Sequence, residues 1–500
     1  MDPVQSKVTQ FLKSYGMYPG DIDIAGLCDV FEAEMAKGLS SYGGGSSLMM
    51  IPTYIKLEEN IPAGRPVIVI DAGGTNFRTA VVHFDDSMNC VIEDFNNYPM
   101  PGSYGEISKE AFFSAIYGYI EPLLDKSDQI GLCFSYPTDI QPDRDGRVLA
   151  MSKEIKVAGL IGELINKGIL DAIRSKRGES NKTIVQLNDT VATLLGGKAS
   201  FPNRAFDSYI GLILGTGTNT CYAEETANIL KLRGPAPEQD FMLINLESGN
   251  FSKAPRGPID DSLDGKTNDR GKYLFEKAMS GAYQGPLLAE IIRQAAADGL
   301  FGGGAGARLA GGAGAGAMDV GATGTAGASG AGTGATGATG AGGAGTDATG
   351  ATGASGAGTG AAGSEAVARL AGVEKLTARE IDDFLYYPYG DNALANCCRG
   401  DDGAALALYW LIDAMIERAA IFAAANISAI MRKTGKGKNP NLPVCVTADG
   451  TTFYKSKLLR PKLDYHIRTF TNERLGLYCE FVKATNGVLA GTAIAALQNS

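Results

Sequence analysis

Short apolar, β-branched runs recur along the chain, separated by glycine- and asparagine-bearing turns. Positions 66–71 (PVIVID) and 77–84 predict two strands joined by a tight glycine turn. Further buried strands are predicted at 130–136 and 183–187. A second strand pair is predicted at 208–214 and 219–224, and another strand at 443–447. Apolar positions over 157–173 have helical spacing, and 411–433 (LIDAMIERAAIFAAANISAIMRK) predicts a long apolar helix. This mixture of strands and helices is the pattern of an α/β protein.

One internal similarity stands out in that pattern. VIVIDAGGTNFRTAVVHF and YIGLILGTGTNTCYAEE both read as strand, glycine turn with Thr and Asn, strand. Two like hairpins suggest a duplicated domain. Glycine admits positive φ and lets the backbone come close to a ligand, and successive N–H groups at such a turn form an anion-binding concavity. Thr75 and Thr216 add hydroxyl donors. Facing turns from two lobes would clasp a polyphosphate, although a single one reads equally well as an ordinary turn. A dinucleotide fingerprint is excluded because both turns lead back into strands rather than into a helix. A Walker loop is excluded because Asp260 stands where the first glycine before Gly265-Lys266-Thr267 must be.

Composition changes the picture at one place. Of 67 Gly in 500 residues, 25 fall within 302–363, leaving 42 in the other 438. The 302–363 stretch has no proline and no aromatic residue, and its glycine period slips, which argues against collagen. It is expected to be a disordered Gly/Ala/Thr-rich surface insert, since such a chain buries too little apolar area to offset its ordering entropy. Loop closure rises only slowly in cost with length, so a fold tolerates it. The remaining 438 residues suffice for two or more domains.

Charge and cysteine usage exclude other classes. Lys+Arg is 45 and Asp+Glu 55, a net charge of −10, with no dense basic stretch, so no nucleic-acid partner is expected. Two His argue against a His-rich metal site or a Ser-His-Asp triad. The eight Cys contain no CxxC pair and are expected to be reduced, core-filling thiols. The opening MDPVQSKVTQFLKSYG lacks the charged and apolar regions of a signal peptide, and no apolar run reaches about 18 residues. A cytoplasmic protein with no membrane span is the expectation.

Within 185–194 (VQLNDTVATL), Asn188, Asp189 and Thr190 interrupt an apolar stretch. They fit a helix N-cap, with Asp189 or Thr190 capping the helix from Val191 onward. They also fit a carboxylate at a strand end beside a cleft, suited to take a proton from a hydroxyl.

These segments occur in an order that resembles the hexokinase/glucokinase family of the actin-like ATPase superfamily, across essentially all 438 non-insert residues. The carrying motifs are MIPTYI (50–55), IDAGGTNFR (70–78), GLCFSYP (131–137), MSKEIKVAGLIG (151–162), LNDTVATLLGG (187–197), GLILGTGTNTCY (211–222), INLESGNF (244–251), KYLFEKAMSGAYQG (272–285), ERAAIFAAANISAI (417–430) and VTADGTTFYK (446–455). The resemblance implies a two-lobed, ribonuclease H-like fold. Its small lobe would be 64–192 plus 484–500, and its large lobe 1–63 plus 193–483. It implies ATP-dependent phosphorylation of the 6-hydroxyl of glucose or a related hexose, with Mg-ATP as the other substrate, in a monomer or homodimer. By the same resemblance Asp189 is the general base, and Ser135, Ser152, Lys153, Asn188, Asn219, Glu247 and Glu276 hold the hexose. Asp71 holds Mg²⁺ through water. Gly73, Gly74, Thr75, Asn76 and Arg78 form the first phosphate turn, Gly215, Thr216 and Gly217 the second, and Asp449, Gly450 and Thr451 the adenosine-binding turn.

The residue types suit that chemistry. Carboxylates and amides pair with sugar hydroxyls, which are both donors and acceptors. Phosphoryl transfer needs mainly positioning and charge neutralisation, to which Lys153 and Arg78 would add. The chain departs from the family at Met151-Ser-Lys-Glu154-Ile, where Trp-Thr-Lys-Gly-Phe is usual. It departs again at Glu247-Ser-Gly-Asn250-Phe, where Glu-Trp-Gly-Ala-Phe is usual, and at Ala72, where Leu is usual. These changes repack the sugar's surroundings and leave the preferred hexose open. A non-catalytic sugar sensor and a sugar-independent actin- or chaperone-like ATPase are the alternatives on the same fold.

Overall fold

The computed structural model describes residues 2–56, 60–151, 155–179, 181–202, 204–233, 239–302 and 358–499, with side chains from 365 in the last segment. Ser152 and Lys153 lie outside the described residues, as does 303–357 of the glycine-rich insert. Helical backbone over Gly358–Ala371 begins within the final residues of the stretch expected to be a loop.

Two sheets organise the chain. The first holds β1 (Val67–Gly73), β2 (Asn76–Phe84), β3 (Cys90–Pro99), β4 (Gln129–Phe134) and β5 (Thr183–Leu187), in the order β5-β4-β1-β2-β3. β1, β2 and β3 form an antiparallel meander, and β4 pairs parallel to both β1 and β5. The helix α1 (Asp189–Ser200) leads to the second sheet, of β6 (Ser208–Leu214), β7 (Thr218–Glu225), β8 (Phe241–Asn245), β9 (Val444–Asp449) and β10 (Cys479–Val482). Its order is β10-β9-β6-β7-β8, with the two-residue strand Ile51–Pro52 beside β8. Its pairing repeats that of the first sheet: an antiparallel meander, then two parallel strands on the other side. The duplication suggested by the two glycine hairpins is therefore a duplication of topology.

β1 and β4 are buried on both faces, which is why they read as continuous apolar runs rather than alternating ones. Three further helices matter for the site: α2 (Gly281–Ala297), α3 (Asp402–Thr434) and α4 (Gly487–Asn499). Helix α1 packs on β6 and β9, α4 packs on β1 and β4, and the two helices pack on each other between the sheets. Glycine makes that crossing close. A Cβ on Gly491 would stand 1.8 Å from the Ala192 carbonyl oxygen, and one on Gly196 would stand 2.2 Å from the Gly487 carbonyl oxygen. One apolar cluster runs through this junction, including Val69, Val191, Leu195, Ala490 and Ile494.

Two helices differ from the sequence expectation. The helical spacing over 157–173 becomes a short strand, Val157–Ala158, a turn, and a helix over Ile165–Arg177. Gly159 and Gly162 adopt φ of +73° and +90°, which end any helix there. The Asp145 carboxylate then starts the new helix, accepting the amides of Asn166 (2.8 Å) and Lys167 (2.9 Å). Helix α3 begins at Asp402, well before 411, because Asp401 caps it by accepting the Ala404 amide at 2.9 Å. At its centre Arg418, 1% exposed, makes a bidentate pair with Asp260 at 2.8 and 2.6 Å. Asp260 is thus structural, and Lys266 pairs with Glu290, so neither belongs to a phosphate loop.

All eight Cys are free thiols, five of them buried. Among the described residues no helix is long and apolar enough to cross a membrane.

Candidate functional site

The site lies where the carboxyl ends of β1, β4, β5, β6 and β9 converge, the place where open α/β sheets take their ligands. β5 ends at Leu187, and Asn188 caps α1: its Oδ1 accepts the Thr190 amide at 2.9 Å. The cap is therefore Asn188, and neither Asp189 nor Thr190. Asp189 is the first helical residue, and its carboxylate accepts the Thr190 hydroxyl at 3.2 Å. Burial, reinforced by the nearby Asp71 charge, raises the Asp189 carboxyl to about 6, against the hydrogen bonds from Thr190 and Ser135. Ser135 follows β4 directly and lies beneath the first glycine turn, since a Cβ on Gly73 would be 3.2 Å from its Oγ.

Across the cleft, the second sheet supplies a polar network. Asn219 Nδ2 donates to Asn245 Oδ1 at 2.8 Å, and Asn245 Nδ2 donates to Glu247 Oε1 at 2.9 Å. Glu247 follows β8 in a left-handed conformation, φ +55°. Burial raises its carboxyl to about 7, with the charges of Asp189 and Glu276 adding to that shift. Glu276 accepts the Thr218 amide at 3.0 Å, and burial raises its carboxyl as well. Gly217 gives Glu276 its room, because a Cβ there would be 2.6 Å from Glu276 Oε2. Glu247 thus senses the charges of both Asp189 and Glu276.

The glycine turns form the rest of the cleft. In the β1–β2 turn, Gly74 has φ +54° and open space where a side chain would be. Its carbonyl accepts the Tyr136 hydroxyl at 2.5 Å, and the Thr75 carbonyl accepts the Met100 amide at 2.9 Å. Gly74, Thr75 and Asn76 are exposed. In the β6–β7 turn, the Gly215 carbonyl accepts the Gly281 amide and the Thr452 hydroxyl, each at 2.8 Å. The Thr216 carbonyl accepts the Ala282 amide at 3.1 Å, which seats the turn on the start of α2. Gly450 presses onto this turn with φ +118°, and a Cβ there would be 2.4 Å from the Leu214 carbonyl carbon. Asp449 and Thr451 flank it, both exposed.

Arg78 Nη1 donates to Asp71 Oδ2 at 3.1 Å. Burial nonetheless raises the Asp71 carboxyl; the Arg78 charge and the Cys133 thiol oppose that shift, and Asp449 adds to it. Among the described residues no three His, Cys, Asp or Glu converge as a metal cage. The structure therefore gathers the described site residues into one acidic cleft. It adds Asn245, Cys133 and Tyr136, which residue pattern alone does not single out. Asn245 was visible as the only polar residue of FMLIN, whereas Cys133 needed the register that sets it beside Asp71.

Two sheets of repeated topology, each with a glycine turn after its first strand and with acidic residues between them, define a two-lobed α/β protein of the actin-like ATPase and sugar-kinase fold. The chain belongs to the hexokinase family: models described as hexokinase match residues 15–199 and, together, 209–315 and 374–498. The gap between the last two segments, 316–373, overlaps most of the insert. Hexokinase-1 of Nicotiana tabacum is 31% identical over 300 residues, 56% of this chain and 59% of that protein. Hexokinase-2 of Solanum tuberosum is 31% identical over 294 residues, 55% of this chain and 58% of that protein. The matched segment thus spans less than two thirds of the length of these relatives. The fold is shared with a hexokinase from Schistosoma mansoni complexed with glucose, at TM-score 0.68 and 22% identity over 99% of this chain and 98% of that one. A second hexokinase crystal structure covers both chains fully at TM-score 0.66 and 19% identity.

Proposed function

We propose that this chain transfers the γ-phosphoryl group of ATP to the 6-hydroxyl of glucose or a related hexose, with Asp189 as general base. The observation that carries the reading is the Asp189 carboxyl at the start of α1, raised to about 6 by burial and within electrostatic reach of Asp71 and Glu247. A base of that pKa is ionised at neutral pH yet retains affinity for a proton.

Ser135, Asn188, Asn219, Glu247 and Glu276 would pair with the sugar hydroxyls, and Ser152 and Lys153 belong to the same reading. A site built of such groups rejects ligands lacking a hydroxyl, because its buried polar atoms are then left unpaired. The residues present also suit Mg-ATP. The glycine turns leave room for phosphates, Gly450 has no space for a side chain, and Asp71 lies within the electrostatic reach of Asp449. Mg²⁺ is ordinarily held by one or two carboxylates together with substrate phosphates. It would neutralise phosphate charge when bound, with Asp71 as its carboxylate through water. Arg78 keeps Asp71 oriented and favours its ionised form. Closure of the lobes over the sugar would exclude water, the competing nucleophile.

A coupled assay of purified protein with glucose, mannose and fructose tests the reading. Sugar-dependent ADP release is expected. Absence of turnover with every hexose overturns it, and hexose binding without turnover selects the sensor alternative. ATP hydrolysis indifferent to sugar selects the ATPase alternative.

A further inference from the structure

We infer that Asn245 is a positioning residue for hexose recognition, fixing the Glu247 carboxylate through a side-chain relay that also engages Asn219. This rests on the proposed sugar-kinase reading and adds a residue to it.

The geometry is specific. Asn245 is 4% exposed and lies at the end of β8, in register with Cys221 of β7 and, on the other side, with Ile51. Its carbonyl oxygen accepts Asn219 Nδ2 at 2.8 Å and the Glu247 amide at 3.4 Å. Its amide nitrogen donates to Glu247 Oε1 at 2.9 Å. Asn219 reaches the same Glu247 oxygen, at 3.4 Å, and its own carbonyl oxygen accepts the amides of Thr220 (2.7 Å) and Ser248 (3.2 Å). One amide side chain therefore ties together the backbone and the carboxylate of Glu247 and the side chain of Asn219.

Glu247 needs that restraint. Its backbone sits at φ +55°, a conformation non-glycine residues seldom hold unless the surroundings impose it. The charged groups that face it, Asp189 from α1 and Glu276 from the helix Leu274–Met279, are both acidic, and the Tyr273 phenol adds a third acidic group when ionised. Like-charge repulsion would push a free Glu247 carboxylate out of line, and a short bond from a neutral donor resists it without bringing in a counter-ion. Only an amide does both jobs at this position. Aspartate keeps the acceptor for Asn219 but loses the donor and adds a fourth carboxylate. Leucine keeps the branching at Cγ, is bulkier, and loses both.

The test compares wild type with Asn245→Asp and Asn245→Leu, using isothermal titration with glucose for sugar affinity and the coupled assay for KM and kcat from pH 5.5 to 9. In wild type, affinity is expected to rise as pH increases through about 7, as Glu247 ionises. Asn245→Asp is expected to weaken glucose binding at least ten-fold at pH 7.5 and to move that rise to higher pH. Its kcat at saturating sugar should change less than three-fold. Asn245→Leu is expected to weaken binding similarly, with a smaller pH displacement. Thermal denaturation identifies a variant that fails to fold, and the isosteric Asp variant then decides. Folded Asp variant with wild-type affinity and an unmoved pH profile overturns the inference. A wild-type chain that binds glucose but does not phosphorylate it overturns the catalytic reading while leaving the positioning role measurable by titration. A wild-type chain that binds no hexose overturns both.

Discussion

Asn188 Oδ1 accepts the Thr190 amide at 2.9 Å, and this bond relieves the intervening Asp189 of the capping task. Cap and carboxylate are thereby separated into adjacent residues. Asn188→Ala should lower stability by about 1 kcal/mol, the usual worth of an N-cap. Asp189→Ala should leave the helix capped while reducing kcat by about 10²–10⁴-fold, the typical contribution of a general base. Denaturant unfolding checks the first and steady-state kinetics with calorimetric glucose binding the second; near-normal turnover in Asp189→Ala would remove the base assignment.

The pH response has a defined sign. Asp189 and Glu247 have folded-state carboxyls near 6 and 7, above their unfolded values, because burial disfavours the charged form. The native state therefore binds these protons more tightly than the unfolded state. Their effect on stability is absent below the unfolded values, becomes a penalty that grows as pH rises from there, and levels off above about 6 for Asp189 and about 7 for Glu247. Glu247→Gln should raise the melting midpoint by a few degrees at pH 8 and leave it unchanged at pH 4, as measured by thermal scans. Turnover should run the other way, with kcat falling as pH drops through about 6 and Asp189 becomes protonated.

Gly450→Ala should affect nucleotide more than sugar. The position combines φ +118° with a Cβ that would stand 2.4 Å from Leu214, so the turn must move away from Gly215. A rise in KM for ATP of ten-fold or more, with hexose affinity within two-fold of wild type, is expected. Equal losses for both substrates would show that the change propagates through the whole lobe.

Arg418→Met should destabilise the protein by about 3–5 kcal/mol, because it strands the buried Asp260 carboxylate. Adding Asp260→Leu should recover much of that loss. Denaturant unfolding of both variants measures it, and a double variant no better than the single one would contradict the account.

The strands were the most legible part of the chain. β5 and β6 match their predicted ranges, 183–187 and 208–214, because a buried strand flanked by polar or glycine residues is a sharp pattern. The 157–173 helix misled because Val157, Leu160 and Ile161 have helical spacing, while Gly159 and Gly162 take positive φ that spacing alone does not reveal. The carboxylates and glycine turns of the site were legible as motifs. Asn245 was not selected, since its role depends on an Asn219 side chain 26 residues away that only β7–β8 pairing brings to it. Residue type does not settle the cap, because Asn188, Asp189 and Thr190 are all competent and only backbone geometry decides among them.

The repeated topology has a consequence for how charge is apportioned. In the first sheet, Asp71 on the first strand lies in register with the neutral Cys133 on the fourth. In the second sheet, the corresponding pair is Ile213 and Asp449, with acid and neutral partner exchanged. Each half contributes one carboxylate at this level, from opposite members of the same strand pair. The halves share one topology yet place their acid on opposite strands of the pair, so neither could replace the other by simple symmetry. A chain assembled from two copies of either half would keep the architecture and lose the balance of acids facing the cleft.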